Sequence, residues 1–230
     1  MKVTILMPTY NRASFFLPRA IQSVLNQTYE NFQLIIGDNA STDNTEEVVK
    51  SFNDSRITYI KSKSNTGTQN TFFNAGLKYE TKYTSFIEDD DRYYPLHIEK
   101  LVSKAKEGFK AVYCFGINIL YDGNGNIPLA GQTRCKEWNK NWFIFGGSYF
   151  NWIDQSDILV DREALLSVGG FREDANFQDY AIMAKMCMRY EVGCVAEILT
   201  ECAIDVNKYG QHAENKWRNS DTLLNHIDIF

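Results

Sequence analysis

Short apolar runs alternate with segments of helical spacing through the first hundred residues, and no other feature restricts the fold of this chain as much. Residues 3–7, 32–36, 57–60 and 83–87 have the length and the β-branched or aromatic content of strands. Between the first two runs, Leu17, Ala20, Ile21, Val24 and Leu25 recur at the 3.6-residue period of a helix face. A second helix is expected to start near Thr42 or Asp43, where a capping residue is followed by early negative charge. A third, entered through a turn at residues 65–70, carries Phe72, Phe73, Ala75, Gly76 and Leu77. Strand and helix in strict alternation imply an α/β fold, a mostly parallel twisted sheet flanked by helices.

The later chain reads differently. Residues 111–121 predict a long strand, closed by the turn signal Asp122-Gly123-Asn124-Gly125-Asn126. Residues 138–152 are dense in aromatics, and helices are expected over 161–168 and 178–190 with Gly169-Gly170 between them. A further strand over 192–199 and a closing helix over 214–229 complete the reading. With neither an internal repeat nor a low-complexity linker, residues 1–200 read as one Rossmann-like domain, and 201–230 as a C-terminal extension with a helix.

Composition narrows the partners. A hydrophobic content of 44% with 23% charged residues describes a folded chain, and a net charge of -5 disfavours a nucleic-acid partner, which needs a basic surface. The five cysteines are odd in number and form no C-x-x-C pair, and with three scattered histidines they supply no zinc set. The N-terminal apolar run is interrupted too early for a secretory signal, and no run approaches a transmembrane segment. The expected location is the cytoplasm, compatible with peripheral membrane contact.

In open α/β sheets, ligands bind beyond the carboxyl ends of the strands. Polar clusters stand at three such ends: Pro8-Thr9-Tyr10-Asn11-Arg12, Asp38-Asn39-Ala40-Ser41-Thr42-Asp43 and Glu88-Asp89-Asp90-Asp91. One nucleotide site accounts for all three, with Tyr10 against the base and Asp38 accepting from a base N–H, although an Asx turn is an alternative for Asp38. Neither G-x-G-x-x-G nor G-x-x-x-x-G-K-[ST] occurs, so the phosphates need another source of neutralisation. Adjacent carboxylates at a strand end repel one another, and Mn²⁺ or Mg²⁺, which takes oxygen ligands and shares them with phosphates, relieves that repulsion. Glu88 with Asp90, or Asp89 with Asp91, can form the alternate-residue pair; the plain alternative is a charged loop.

Taken in order, Pro8-Thr9-Tyr10-Asn11-Arg12, Gly37-Asp38-Asn39-Ala40-Ser41-Thr42-Asp43, Asn65-Thr66-Gly67, residues 86–91, Gly169-Gly170-Phe171 and Gln178-Asp179 resemble the inverting nucleotide-sugar glycosyltransferases of family two. The resemblance covers residues 1–200 and implies a GT-A-type fold, with a nucleotide-binding half over 1–110 and an acceptor half over 111–200. It implies a nucleotide pocket drawing on Pro8, Thr9, Tyr10, Arg12, Asp38, Asn65, Gly67, Asn70, Glu88 and Asp89, with the base commonly uracil. The acidic run resembles the family's D-x-D metal motif. That alignment puts Glu88 where the family has Asp and makes Asp90 the preferred metal ligand, with Asp91 beside it.

An inverting transfer needs a base that takes the acceptor's proton as its oxygen attacks the anomeric carbon. Asp179 matches the family's base, although Gln178 stands where the family usually has Glu; the alternative for Asp179 is an acid at a helix N-terminus. Trp152, Gly170, Phe171 and Gln178 are expected on the acceptor side, and Trp138, Trp142 and Tyr149 are open to either sugar stacking or core packing. His212, in Lys208-Tyr209-Gly210-Gln211-His212, fits a segment that folds over the site and reaches metal or diphosphate. The Gln-x-x-Arg-Trp signature of processive family members is absent, which favours a single addition to a glycan or lipid-linked acceptor. Two other readings are a sugar nucleotidyltransferase and a sugar-nucleotide-binding module without turnover.

Overall fold

The computed structural model describes residues 1–66, 69–121, 133–134, 153–171 and 178–205. Strands β1 (Val3–Thr9), β2 (Phe32–Asp38), β3 (Ile57–Lys61) and β4 (Tyr83–Phe86) are parallel, in the spatial order β3-β2-β1-β4. Helices α1 (Phe16–Leu25), α2 (Thr45–Ser51) and α3 (Asn70–Gly76) make the crossovers. The sheet continues past β4 through β8 (Ile158–Asp161), β6 (Ala111–Tyr121), β9 (Val192–Asp205) and β5 (Arg92–Tyr93), with β7 (Thr133–Arg134) paired to β6. Helix α4 (His97–Ala105) follows β5, α5 (Arg162–Ser167) follows β8, and α6 (Gln178–Arg189) precedes β9.

Both faces of the central strands are covered, so their sequences read as continuous apolar runs rather than alternating ones. Ile5, Met7, Leu34 and Ile36 pack with Leu17, Ile21, Ile98 and Leu101 on one face. Leu6 and Ile35 face the other way, toward Phe73, Phe86, Ile158, Met183 and Met186. Each fully buried Leu or Ile contributes about 1.5–3 kcal/mol, so the period-two split pins the register. Helix α3 rests very close to the sheet: a Cβ on Gly76 would lie 2.5 Å from the Leu6 side chain, and one on Gly37 would lie 2.1 Å from the Phe72 ring.

Several elements depart from the sequence reading. Helix α2 starts at Thr45, because Asp43 closes its own turn by accepting from the Thr45 N–H at 3.1 Å. The four-residue β8 was absent from that reading, its apolar run merging with the helix behind it. Asp161 ends β8 and caps α5, accepting from the Ala164 N–H at 3.1 Å. Strand β9 runs on to Asp205, paired with β6 across a register shift at Cys114–Gly116. Helix α4, also missed, buries His97, Ile98, Leu101, Val102 and Ala105.

Candidate active site

Strand order reverses at β1, which lies between β2 and β4, and the carboxyl ends of β1 and β4 bound the crevice expected of such a switch point. There Thr9 Oγ1 donates to Asp89 Oδ2 at 2.7 Å, in buried surroundings. Beside this bond opens a cavity of about 570 Å³ whose wall includes Pro8, Thr9, Tyr10, Arg12, Gly37 and Asp89. That volume is within the range of small-molecule sites.

The loops around the cavity are tied together by side chains of the first two motifs. Asn11, at φ 52°, accepts from the Thr42 N–H at 2.8 Å through Oδ1, while its own N–H donates to Ser41 Oγ at 2.9 Å. Asp43 Oδ2 accepts from the Ala13 N–H at 3.2 Å. Asn39 Oδ1 accepts from the Thr66 N–H at 2.9 Å, and Asn39 Nδ2 donates to Asn65 Oδ1 at 3.0 Å. The motif residues therefore divide between those that line the cavity and those that hold its rim.

The acidic loop after β4 gathers more charge than the sequence suggested, since Asp154 adds a fifth carboxylate. Burial, then Asp154, Asp90 and Asp89 raise the Glu88 carboxyl well above its ordinary range, although Gln69 Nε2 donates to it at 3.0 Å. Burial and the Asp90 charge push Asp89 up to about 6 against the pull of Thr9 and Arg12. Burial also raises Asp90, opposed by Arg12, and raises Asp91, with Asp154 and Asp90 adding to the push. Among the described residues Arg12 pairs with the loop's carboxylates, with Nη2 3.3 Å from Asp90 Oδ2 and Nε 3.7 Å from Asp89 Oδ1. Ligand atoms of Asp91, Asp154 and Cys202 lie within 4.8 Å of one another. A carboxylate-rich, self-repelling donor set fits a hard divalent cation.

The expected site residues are placed as follows. Pro8, Thr9, Tyr10, Arg12 and Asp89 converge on the cavity. Asp38 is buried behind it, with Oδ1 accepting from the Ser41 N–H at 2.7 Å and Oδ2 from the Tyr59 hydroxyl, and Asn39 lines the wall instead. Asn65 sits on the rim, Glu88 pairs with Gln69, and Asp90 and Asp91 lie on the loop. Gly170, at φ 60°, turns the chain, and the Asn74 amide grips the Phe171 backbone at 2.8 and 3.1 Å. The Phe171 ring is in the core, stacked 4.9 Å from Phe73. Helix α6 begins at Gln178, which puts Asp179 in its first turn; the side chains of Asn70, Gln178 and Asp179 lie outside what is described. Gly67, Trp138, Trp142, Tyr149, Trp152, His212 and the helix expected over 214–229 also lie outside the described residues. Asn39, Ser62, Gln69 and Phe72 of the cavity wall, and Asp154 at the loop, were not expected as site residues; Asn39 lay within a motif, and Gln69 and Phe72 were read only as turn and helix positions.

No helix among the described residues is long and apolar enough to cross a membrane. The chain is 30% identical over 183 residues to the GalNAc(5)-diNAcBac-PP-undecaprenol beta-1,3-glucosyltransferase of Campylobacter jejuni, a match covering 75% of this chain and 55% of that protein. The chain thus spans little more than half the length of that relative. In fold it resembles S. aureus TarS 1-349 in complex with UDP-GlcNAc, with a TM-score of 0.71 at 15% identity over 89% of this chain and 59% of the other. It also resembles the mannosyltransferase PcManGT from Pyrobaculum calidifontis in complex with GDP-Man and Mn²⁺, with a TM-score of 0.67 at 20% identity over 95% of this chain and 60% of the other. These likenesses identify the fold as GT-A-type. The family model for glycosyl transferase family 2 matches residues 4–159, which include the cavity-lining motif, the acidic loop and Asp154, and the chain belongs to that family.

Proposed function

We propose that this chain is the catalytic part of a metal-dependent inverting glycosyltransferase. It moves one sugar from a nucleoside diphosphate sugar, UDP-glucose first, to a hydroxyl of a lipid-linked glycan precursor. The observation that carries the reading is the Thr9–Asp89 hydrogen bond, which joins the cavity wall to the acidic loop. A nucleoside seated in the cavity directs its diphosphate toward residues 89–91. The named activity of the Campylobacter jejuni relative supports the sugar and the acceptor class.

Tyr10, 44% exposed at the cavity mouth, offers a ring face to the base. Arg12, close to both Asp89 and Asp90, balances their charge and stands where the diphosphate arrives. Asp90 and Asp91, with Asp154 beside them, would hold Mn²⁺ or Mg²⁺, which when bound compensates the charge of the leaving diphosphate. Asp179, in the first turn of α6, takes the proton of the acceptor hydroxyl as that oxygen attacks the anomeric carbon from the side opposite the diphosphate. Residues 1–110 form the donor half and 111–200 the acceptor half, with Gly170 and Gln178 on the acceptor side; a location in the cytoplasm with peripheral membrane contact follows from that acceptor.

Thermal shift with UDP, GDP and TDP, each with and without Mn²⁺, tests the donor site. Saturation at 100 times Kd adds about 2.7 kcal/mol of stability. UDP is expected to raise Tm, and more so with Mn²⁺. Absence of a shift with every nucleotide contradicts the reading.

A further inference from the structure

We propose that Arg19 is a positioning residue for the acidic loop, held by Glu201 and acting on the main chain of Asp90. The inference rests on the metal-binding reading of residues 88–91. Arg19, on α1, donates from Nη1 to Glu201 Oε1 at 3.0 Å and from Nη2 to the Asp90 carbonyl oxygen at 3.2 Å. Glu201, on β9, also accepts from the Tyr121 hydroxyl at 2.6 Å, and its Oε2 pairs with Arg92. The Arg19 guanidinium carbon lies 4.7 Å from the Tyr121 ring centre, 5.4 Å from Phe15 and 5.6 Å from Phe16. Three aromatic faces and one carboxylate thus fix the guanidinium.

A purely structural ion cluster does not account for this arrangement. Buried charged networks cost desolvation that apolar side chains of similar volume avoid. Here that cost is larger, because Nε of Arg19 and Nε of Arg92 are buried without a partner among the described residues. An apolar side chain at position 19 would pack against the same aromatics, but it could not donate to the Asp90 carbonyl. The choice of atom matters too. Arg19 binds the peptide oxygen of Asp90, whereas the Asp90 carboxylate pairs with Arg12 at 3.3 Å. Strand β9 pins the next two residues as well. The Ala203 N–H donates to Asp91 Oδ1 at 3.1 Å, and Arg92 pairs in register with Glu201. The loop is therefore held by the Asp90 backbone and by the buried carboxylates of Asp89 and Asp91, against the mutual repulsion of its acidic side chains.

The test is Mn²⁺ binding in the presence of UDP, followed by electron paramagnetic resonance, with UDP binding without metal measured by calorimetry. Arg19→Met leaves Glu201 paired with Arg92 and Tyr121, so the fold is expected to survive, as circular dichroism would verify. Groups that orient metal ligands typically contribute about 10–100-fold to metal affinity. Arg19→Met is expected to weaken Mn²⁺ binding by about 10-fold or more, to leave metal-free UDP affinity within about twofold, and to be partly rescued in Arg19→Lys. Wild-type Mn²⁺ affinity in folded Arg19→Met, or an equal loss of metal-free UDP affinity, overturns the proposal. Should Arg19→Met not fold, Arg19→Gln keeps a polar side chain toward Glu201 but lacks the second donor that reaches the Asp90 carbonyl; wild-type Mn²⁺ affinity there overturns it equally. A wild-type chain that binds UDP but no Mn²⁺ overturns the metal reading itself, a result distinct from either variant outcome.

Discussion

At the scale of residues, the site is built from neighbours that divide the labour. Thr9 and Arg12 meet the acidic loop, while Asn11 between them turns back to hold residues 41–43. The motifs were legible as a group because they stand at strand ends, but which residue lines and which one binds depends on backbone torsions that spacing does not reveal. Asp38 illustrates this: both expected roles need its carboxylate, and the fold uses it to close a turn and to accept from Tyr59. Ala40 holds φ 67°, where an L-residue with a Cβ is disfavoured by roughly 1–2 kcal/mol. Ala40→Gly is expected to stabilise the chain by up to about 1 kcal/mol once the greater freedom of unfolded glycine is offset. Urea unfolding of the two proteins measures it. Gly37→Ala should do the reverse, since its Cβ would meet the Phe72 ring at 2.1 Å. A loss of about 1–3 kcal/mol is expected from overpacking, together with weaker nucleotide binding as the ring shifts in the cavity wall.

At the scale of elements, the parallel half was readable because β1 to β4 each have an uninterrupted apolar run bounded by polar ends. The other half was less so. Strand β8 is short and shares its last residue with a helix cap, and β5 has two residues, so neither has a period to detect. Arg19 and Glu201 were missed for a related reason: contacts across 71 to 182 positions leave no local signal, and Asp154 is likewise remote in sequence from the loop it joins. Helix α4 carries a buried histidine with a consequence for stability. His97 is stacked 3.7 Å from Tyr93, and burial pushes its pKa from 6.5 down to about 3. Between those values the unfolded chain binds a proton that the native chain does not, so stability present above pH 6.5 is lost as pH falls. The buried acids of the loop, raised in the native state, act in the opposite sense, so the difference between wild type and His97→Phe isolates this residue. The variant is expected to lose less stability between pH 6.5 and 4, by up to about 1.4 kcal/mol per pH unit. Parallel curves in chemical denaturation across that range would contradict it.

At the scale of the whole molecule, the sheet switches strand order where its polar loops meet, and this single topological fact brings together residues 9, 12, 89 and 154 from distant parts of the chain. The α/β class followed from the alternation of runs, and the polar part of the cavity wall from what stood at the strand ends. The residues expected to meet an acceptor were less accessible, because an aromatic side chain carries no local signal that separates sugar stacking from core packing: Phe171 is stacked on Phe73 in the core. The central claim is that nucleotide, cation and base act in one inverting transfer. It is tested most directly by incubating the protein with UDP-α-glucose, Mn²⁺ and a polyprenyl-diphosphate-linked N-acetylhexosamine, then assigning the anomeric configuration of the product by NMR for wild type and Asp179→Asn. The account predicts UDP release and a β-linked product, with turnover reduced about 10²–10⁴-fold in Asp179→Asn. An α-linked product, release of pyrophosphate, or undiminished turnover in Asp179→Asn would contradict it.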